Sequence, residues 1–496
     1  MNHLTRNQYL FIPSVPTPNG PLHLGHIGGP YLSADVCARA LRMQGHDAVI
    51  ICGSDSYESY VMRAADRQVC TAQAIANHYH QQIAADLKAM NISVYDFINP
   101  LDETWQVGYQ NWHEKILSEL QDKHALLEVT EKIAWDDVRQ RYLTGADLEG
   151  YCPCCQQPVT SYFCEQCGAH FKPENVTQQS SEHLLHQVNN LFLRLPIDDL
   201  NLNNGINDNI RKTYATFLNQ QQQLFRMTTH HEWGLAYGHQ QTLFSYGFLY
   251  AYFLFLSEIA QTALKSYQHP FSINSTVTTI SCFGIDNAVP FLASTHGISS
   301  YCNQFKPFDY YLINYFYYLD GSKFSTSRRH AIWVNDLIYQ QQRNSDIVRL
   351  FLASINVRDG IGNFCQTAFE QYYQAKIQQI AGIIATPIAA TPFDMANQQL
   401  QADCRNRLQR QEKYLSLSNY APNHAVVDIE QWLTLSANYQ DNCHDYYWWL
   451  KTLCVLSYPF MPIQAKQWWL QLGNTGEPSL LNFFHHDRLE EGYHVA

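Results

Sequence analysis

Residues 9–55 read YLFIPSVPTPNGPLHLGHIGGPYLSADVCARALRMQGHDAVIICGSD. Tyr9 to Ser14 is a short apolar run that fits a buried strand. It breaks into the turn-rich Pro16-Thr17-Pro18-Asn19-Gly20-Pro21, and then comes His23-Leu24-Gly25-His26. A helical pattern runs from about Pro30 to Gln44, and Ala48 to Cys52 is a second buried strand that ends at Gly53-Ser54-Asp55. Strand, turn, helix, strand opens a parallel α/β sheet. Ligands in such sheets sit at the carboxyl ends of the strands, where His23/His26 and Asp55 both fall. Two histidines three apart at a helix start can face one ligand, and a helix N-terminus favours phosphate. Gly25 lets a flat base approach the backbone. The plain alternatives are two ordinary helix-start histidines and, for Asp55, a helix N-cap.

Outward from this stretch the texture changes. From about Glu119 to Glu232 lie polar, Gln- and Asn-rich segments and a cysteine cluster. Strand and helix alternate again after Gly234. Val277 to Phe283 is strand-like and ends at Gly284-Ile285-Asp286. Tyr310 to Leu319 is apolar and aromatic, ending in a Gly-Ser-Lys turn. From about Ile332 the periodicity is mostly helical, with paired tryptophans at Trp448-Trp449 and Trp468-Trp469. Against 44 acidic residues stand 32 basic ones, a formal charge of −12, which argues against a chain that wraps nucleic acid over its whole surface but leaves room for a local basic strip. No apolar run is long enough to span a bilayer, and the polar start of the chain is unlike a signal peptide. A cytoplasmic protein without membrane contact is expected. Five of the 14 cysteines crowd between Cys152 and Cys167. In two CxxC pairs this reads as four thiolates on one tetrahedral metal ion. Cys152, Cys155, Cys164 and Cys167 fit best, with Cys154 or His170 as substitutes. Such a closed site is structural.

The stretch from Pro16 to Asp55 resembles the opening of a methionyl-tRNA synthetase, a class I aminoacyl-tRNA synthetase. His23 to His26 matches the class I His-Ile-Gly-His motif, and Ala34-Asp35-Val36, Arg42-Met43 and Gly45-His46 match the family's next conserved steps along the chain. Lys323-Phe324-Ser325-Thr326-Ser327 resembles the Lys-Met-Ser-Lys-Ser loop, with Thr326 in place of the second lysine and Arg328 or Arg329 as compensating charges. Phe283 to Asp286 resembles the Gly-Lys-Asp segment, with Ile285 for the lysine. The resemblance implies a Rossmann-type α/β catalytic domain split by a zinc-bearing insertion and followed by a helical, anticodon-binding-like bundle. The parts would span 1–118, 119–233, 234–331 and 332–496.

It also implies the chemistry: an aminoacyl-adenylate made from ATP and an amino acid, with Mg²⁺ on the ATP and Zn²⁺ in the knuckle. His23, His26 and Lys323 would be catalytic, acting on the triphosphate. Pro16, Gly25, Gly284, Asp286, Ser325 and Ser327 would bind ATP. Val15, Thr17, Asp55, Phe244, Gly247 and Phe291 would bind the amino acid. Asp55 would hold the α-ammonium, since a buried ammonium needs a charge partner.

The match is uneven. Thr17 stands where the family has a Tyr, and Leu243 to Phe248 lacks the family's Trp, Asp and Pro. The helix expected from Phe364 to Ile384 lacks the anticodon-reading Asn and Arg, although Trp448 or Trp449 remain as bases for stacking. Three acceptor readings are open: tRNA; a small hydroxylamine or amine in a tRNA-independent ligase; and none, in a non-catalytic paralogue that binds nucleotide, amino acid or RNA.

Overall fold

The computed structural model describes residues 6–164, 167–177, 184–196, 205–324, 330–383, 390–481 and 483. Its main sheet has five parallel strands: β1 (Gln8–Pro13), β2 (Asp47–Gly53), β3 (Val94–Ile98), β4 (Thr278–Gly284) and β5 (Tyr310–Asn314), in the order β5-β4-β1-β2-β3. The chain builds outward from β1 through β2 and β3, and later returns to the other side of β1 with β4 and β5. The order therefore reverses between β1 and β4, which opens a crevice at the strand ends.

Side chains alternate between the two faces of a strand, and here each face meets its own core. Phe11, Ile50, Cys52, Ile280 and Leu312 enter one cluster, shared with Leu32–Met43 and the C-terminal helices. Leu10, Ile12, Ile51, Tyr311 and Ile313 enter the other, under Glu103–Asp122, Leu249–Leu264 and Ala288–Tyr301. Continuous apolar strands such as Ala48 to Cys52 are what a sheet covered on both faces requires.

The insertion between β3 and β4 carries an antiparallel sheet of Arg141–Tyr142, Leu126–Asp136, Leu184–Arg194 and Leu224–Arg226. Inside it, Arg226 grips the carboxylate of the fully buried Glu131. A small sheet of Thr228–Thr229, Ala236–Gly238 and Gln241–Leu243 straddles the boundary expected at 233/234. The segment expected as one run from Tyr310 to Leu319 is instead two strands. Tyr317–Leu319 leaves the main sheet after Asn314 and pairs with Ser322–Lys323 and Gly362–Phe364.

Beyond these lie the helices Ser345–Ser354, Gln366–Ala381, Gln398–Tyr414, Pro422–Thr434, Cys443–Ser457 and Pro462–Gln471. Trp448 and Trp449 are 1% and 0% exposed, and their indole N–H groups donate to the carbonyls of Thr391 and Trp432. The expectation that they stack on bases is thereby corrected: neither ring face is open. Arg349, also 0% exposed, joins bundle to sheet. It donates to Asp35 Oδ2 at 2.6 Å and to the carbonyls of Phe460, Pro459 and Met90. Arg39 meets the same Asp35 oxygen at 2.7 Å. No helix among the described residues is long and apolar enough to cross a membrane.

Candidate active site

At the crevice, the turn after β1 leads into a short helix, Leu24–His26, and a distorted run, Ile27–Tyr31, before the regular helix begins. His23 is the N-cap. Its Nδ1 accepts from the backbone N–H of His26, and Nδ1 of His26 accepts from the backbone N–H of His23, both at 3.3 Å. This is a capping box built from imidazoles. The rings stack at 3.7 Å between centroids and 10° between planes. With each Nδ1 accepting, the proton of each neutral ring lies on Nε2, which is left as a donor. Burial lowers the pKa of His26 to about 4. Burial, then His26 and Lys323, push His23 well below the ordinary histidine value. Both rings are thus neutral hydrogen-bond donors at pH 7.

Lys323 reaches them through a hairpin. Leu319 and Ser322 pair across Asp320-Gly321, whose φ values of 47° and 84° are those of a type I′ turn, the reason for an Asp-Gly sequence there. Lys323 lies opposite Tyr318, with Nζ 4.0 Å from the centre of the Phe316 ring. Phe324 stacks on His23 at 5.1 Å. Farther along, Leu24 N–H donates to Ile332 and Val334 N–H to Leu22, so the chain on both sides of the loop rests on the histidine motif. Ser325 and Ser327, with Thr326, Arg328 and Arg329, lie outside the described residues.

Asp55 comes just after β2. Its backbone N–H donates to Pro16 O at 3.0 Å, and its Oδ2 accepts from Ser245 at 3.2 Å. It does not cap the next helix. Glu58 does, through Tyr60 N–H. Burial, then the neighbouring Glu58, raise the pKa of Asp55 to about 8. A carboxyl group held this way is short of a cation. Asp286 comes just after β4, and its Oδ1 lies close enough to Gly284 that a Cβ there would stand 2.6 Å from it.

One cleft of about 870 Å³ joins these groups. Val15, Pro16, Thr17, His23, Gly25, His26, Asp55, Gly284, Asp286, Phe291 and Lys323 all line it. Two expected residues do not. Phe244 faces a small aromatic cavity beside Tyr162, and Gly247 packs on the backbone of Arg226 and Met227. A strand-end position fixes neighbourhood but not facing, and the ring between cleft and cavity is Tyr246. Sequence reading missed Tyr246, Asn314, Arg63 and Arg67. Asn314 was findable as the last residue of β5. Arg63 and Arg67, one helical turn apart, share a face of Ser59–Gln68.

The insertion holds a candidate metal centre. The sulfurs of Cys152, Cys155, Cys164 and Cys167 all lie within 4.8 Å of one another, with Cys152–Cys167 at 3.7 Å and Cys155–Cys164 at 3.6 Å. A tetrahedral ion with bonds of ~2.3 Å sets such sulfurs about 3.8 Å apart. Each CxxC is followed by a residue of positive φ, Gln156 at 57° and Gly168 at 73°, whose N–H donates to the carbonyl of the first cysteine. Cys154 is exposed, and His170 stacks on Phe163; neither belongs to the cluster.

The family model described as tRNA synthetases class I (M) matches residues 10–385. The methionine–tRNA ligase of Methanothrix thermoacetophila is 23% identical over 92% of this chain and 73% of its own length. That of Methanococcus aeolicus is 23% identical over 76% and 57%. That of Chlorobium limicola is 31% identical over 37% and 25%. The chain thus spans from a quarter to about three quarters of the length of these relatives. Mycobacterium tuberculosis methionyl-tRNA synthetase bound by methionyl-adenylate superposes with a TM-score of 0.68 at 14% identity, over 93% of each chain. The LeuRS of Agrobacterium radiobacter K84, in a ternary complex with tRNA and LeuAMS, superposes at 0.66 and 11% identity, over 96% of this chain and 87% of that one. These likenesses concern the fold. With the family model covering most of its length, the chain belongs to the class I (M) tRNA synthetases, the methionyl-tRNA synthetase family.

Proposed function

We propose that the chain activates an amino acid with ATP, forming an aminoacyl-adenylate and pyrophosphate, and passes the acyl group to tRNA as a methionine–tRNA ligase does. The observation that carries this is the meeting of the paired imidazoles and Lys323 in one cleft, with a carboxylate at the end of β2 and another beyond β4. In this reading the Nε2–H groups of His23 and His26, with Lys323, Ser325 and Ser327, offset charge on the triphosphate as pyrophosphate leaves, the kind of stabilisation that dominates such catalysis. Asp55 takes the α-ammonium and Asp286 the ribose hydroxyls. Mg²⁺ accompanies ATP and neutralises the phosphates. Zn²⁺ is held by the four cysteines as a fold-stabilising ion. The division at 118, 233 and 331 into catalytic halves, insertion and helical bundle belongs to the same reading.

The test is ATP–pyrophosphate exchange across amino acids, methionine first, with and without tRNA. Exchange that depends on one amino acid supports activation, and its absence with every common amino acid overturns it. Exchange without tRNA charging would move the acceptor to a small amine or hydroxylamine.

A further inference from the structure

The side-chain amide of Asn314 is a polar group of the cleft to which the activation chemistry gives no task. Asn314 is the last residue of β5, directly across from Gly284 in the register and two residues from the level of Asp286. It lines the cleft and is 6% exposed. Its Nδ2 donates to Tyr315 O at 2.9 Å, which fixes which way round the amide stands: reversed, two oxygens would face each other. Oδ1 has no hydrogen-bond partner among the described residues and is cut off from water. Buried acceptors are nearly always satisfied, so one left wanting beside a ligand cleft calls for a donor from outside.

Gly29 lies against that amide. A Cβ there would stand 2.8 to 3.1 Å from the amide atoms of Asn314. Gly29 is also the residue at which the run Ile27–Tyr31 leaves helical geometry, at φ −80° and ψ −108°. The backbone beside the amide is therefore a side-chain-free residue at a break in helical geometry.

We infer that Asn314 is a ribose-binding residue: with the nucleotide in place, its Oδ1 accepts a hydrogen bond from one ribose hydroxyl while Asp286 accepts from the other. Two vicinal hydroxyls offer two donors, and the ends of β4 and β5 then present two acceptors side by side. This rests on the ATP reading under Proposed function.

The experiment measures binding of ATP, 2′-deoxy-ATP, 3′-deoxy-ATP and purine riboside triphosphate to the wild type, to Asp286→Asn and to Asn314→Ala. Asp286→Asn identifies the hydroxyl that its carboxylate takes, because loss of that hydroxyl costs the variant least. Wild type is expected to bind the analogue lacking the other hydroxyl about tenfold more weakly than ATP, the scale of one hydrogen bond to a buried acceptor. Asn314→Ala should weaken ATP by the same factor and leave that analogue unchanged. Equal weakening of every ligand by Asn314→Ala, or a loss that vanishes only with the analogue lacking the base amine, overturns the inference. If wild type binds ATP but neither deoxy analogue is penalised, the inference fails while the ATP reading stands. If wild type binds no ATP, both fail.

Discussion

Asp35 and Asp55 lie one helix apart in sequence and are almost equally hidden, at 0% and 4% exposure. Their carboxyl groups nevertheless move in opposite directions. Burial pushes both upward, but at Asp35 the guanidinium groups of Arg39 and Arg349, with Ser93, outweigh it and hold the group well below the usual carboxylate range. Asp55 has only Ser245 against burial and Glu58, and stays high, at about 8. The first aspartate has all its partners within the chain and serves the fold. The second has no cation beside it among the described residues. Burial alone does not mark a site; burial without compensation does.

Four experiments probe this contrast. Asp55→Asn should cut kcat/KM for the amino acid by about 10³, the scale expected when one member of a buried charge pair is removed, while leaving thermal stability equal or higher. Amino-acid-dependent exchange and a melting curve check both halves. Asp35→Asn should do the reverse, costing roughly 3–5 kcal/mol of stability because two arginines remain buried against it. Urea unfolding reads that loss, and exchange per folded molecule should persist. Cys155→Ser should abolish stoichiometric metal binding, seen by elemental analysis, and make the insertion more open to protease while the main sheet keeps its stability.

The smallest expected effect is in pH. The empty Asp55 carboxyl is largely protonated below about 8. An ammonium substrate binds the ionised form, so binding releases a proton. The amino-acid KM should then fall about tenfold per pH unit between roughly 6 and 7.5 and level off near 8. Calorimetry in buffers of different ionisation enthalpy should show the proton release at pH 7. A flat profile would place the ammonium elsewhere.

Much of this was legible in residues 9–55. Apolar strands and a turn ending in His-x-x-His specify the carboxyl end of a strand in a covered sheet, and the hydrogen bonds between the two imidazoles are local to the motif. The CxxC pairs are equally local, because the turns that aim the sulfurs lie inside the motif. What escaped reading depended on facing. Phe244 sits at a strand end near the cleft yet points into a side cavity, whereas Tyr246, two residues on, takes its place. Trp448 and Trp449 looked like an open stacking platform. A pair adjacent on a helix points to different sides, and both sides of this helix are covered. Likewise, the aromatic run from Tyr310 gives no sign that Tyr315-Phe316 will end one strand and aim the next at the histidines.

The Arg349 junction has a practical consequence. Because that guanidinium is shared between the Pro459 and Phe460 carbonyls, in the turn between helices Cys443–Ser457 and Pro462–Gln471, and Asp35 beneath the sheet, the two parts are not separable modules. Truncating the chain before Ser345 would remove the partners of Asp35 and Arg39 in the bundle and uncover the outer apolar side of Leu32–Met43. Attempts to graft a different C-terminal half onto this sheet would have to reproduce a fully enclosed arginine, not merely a compatible surface.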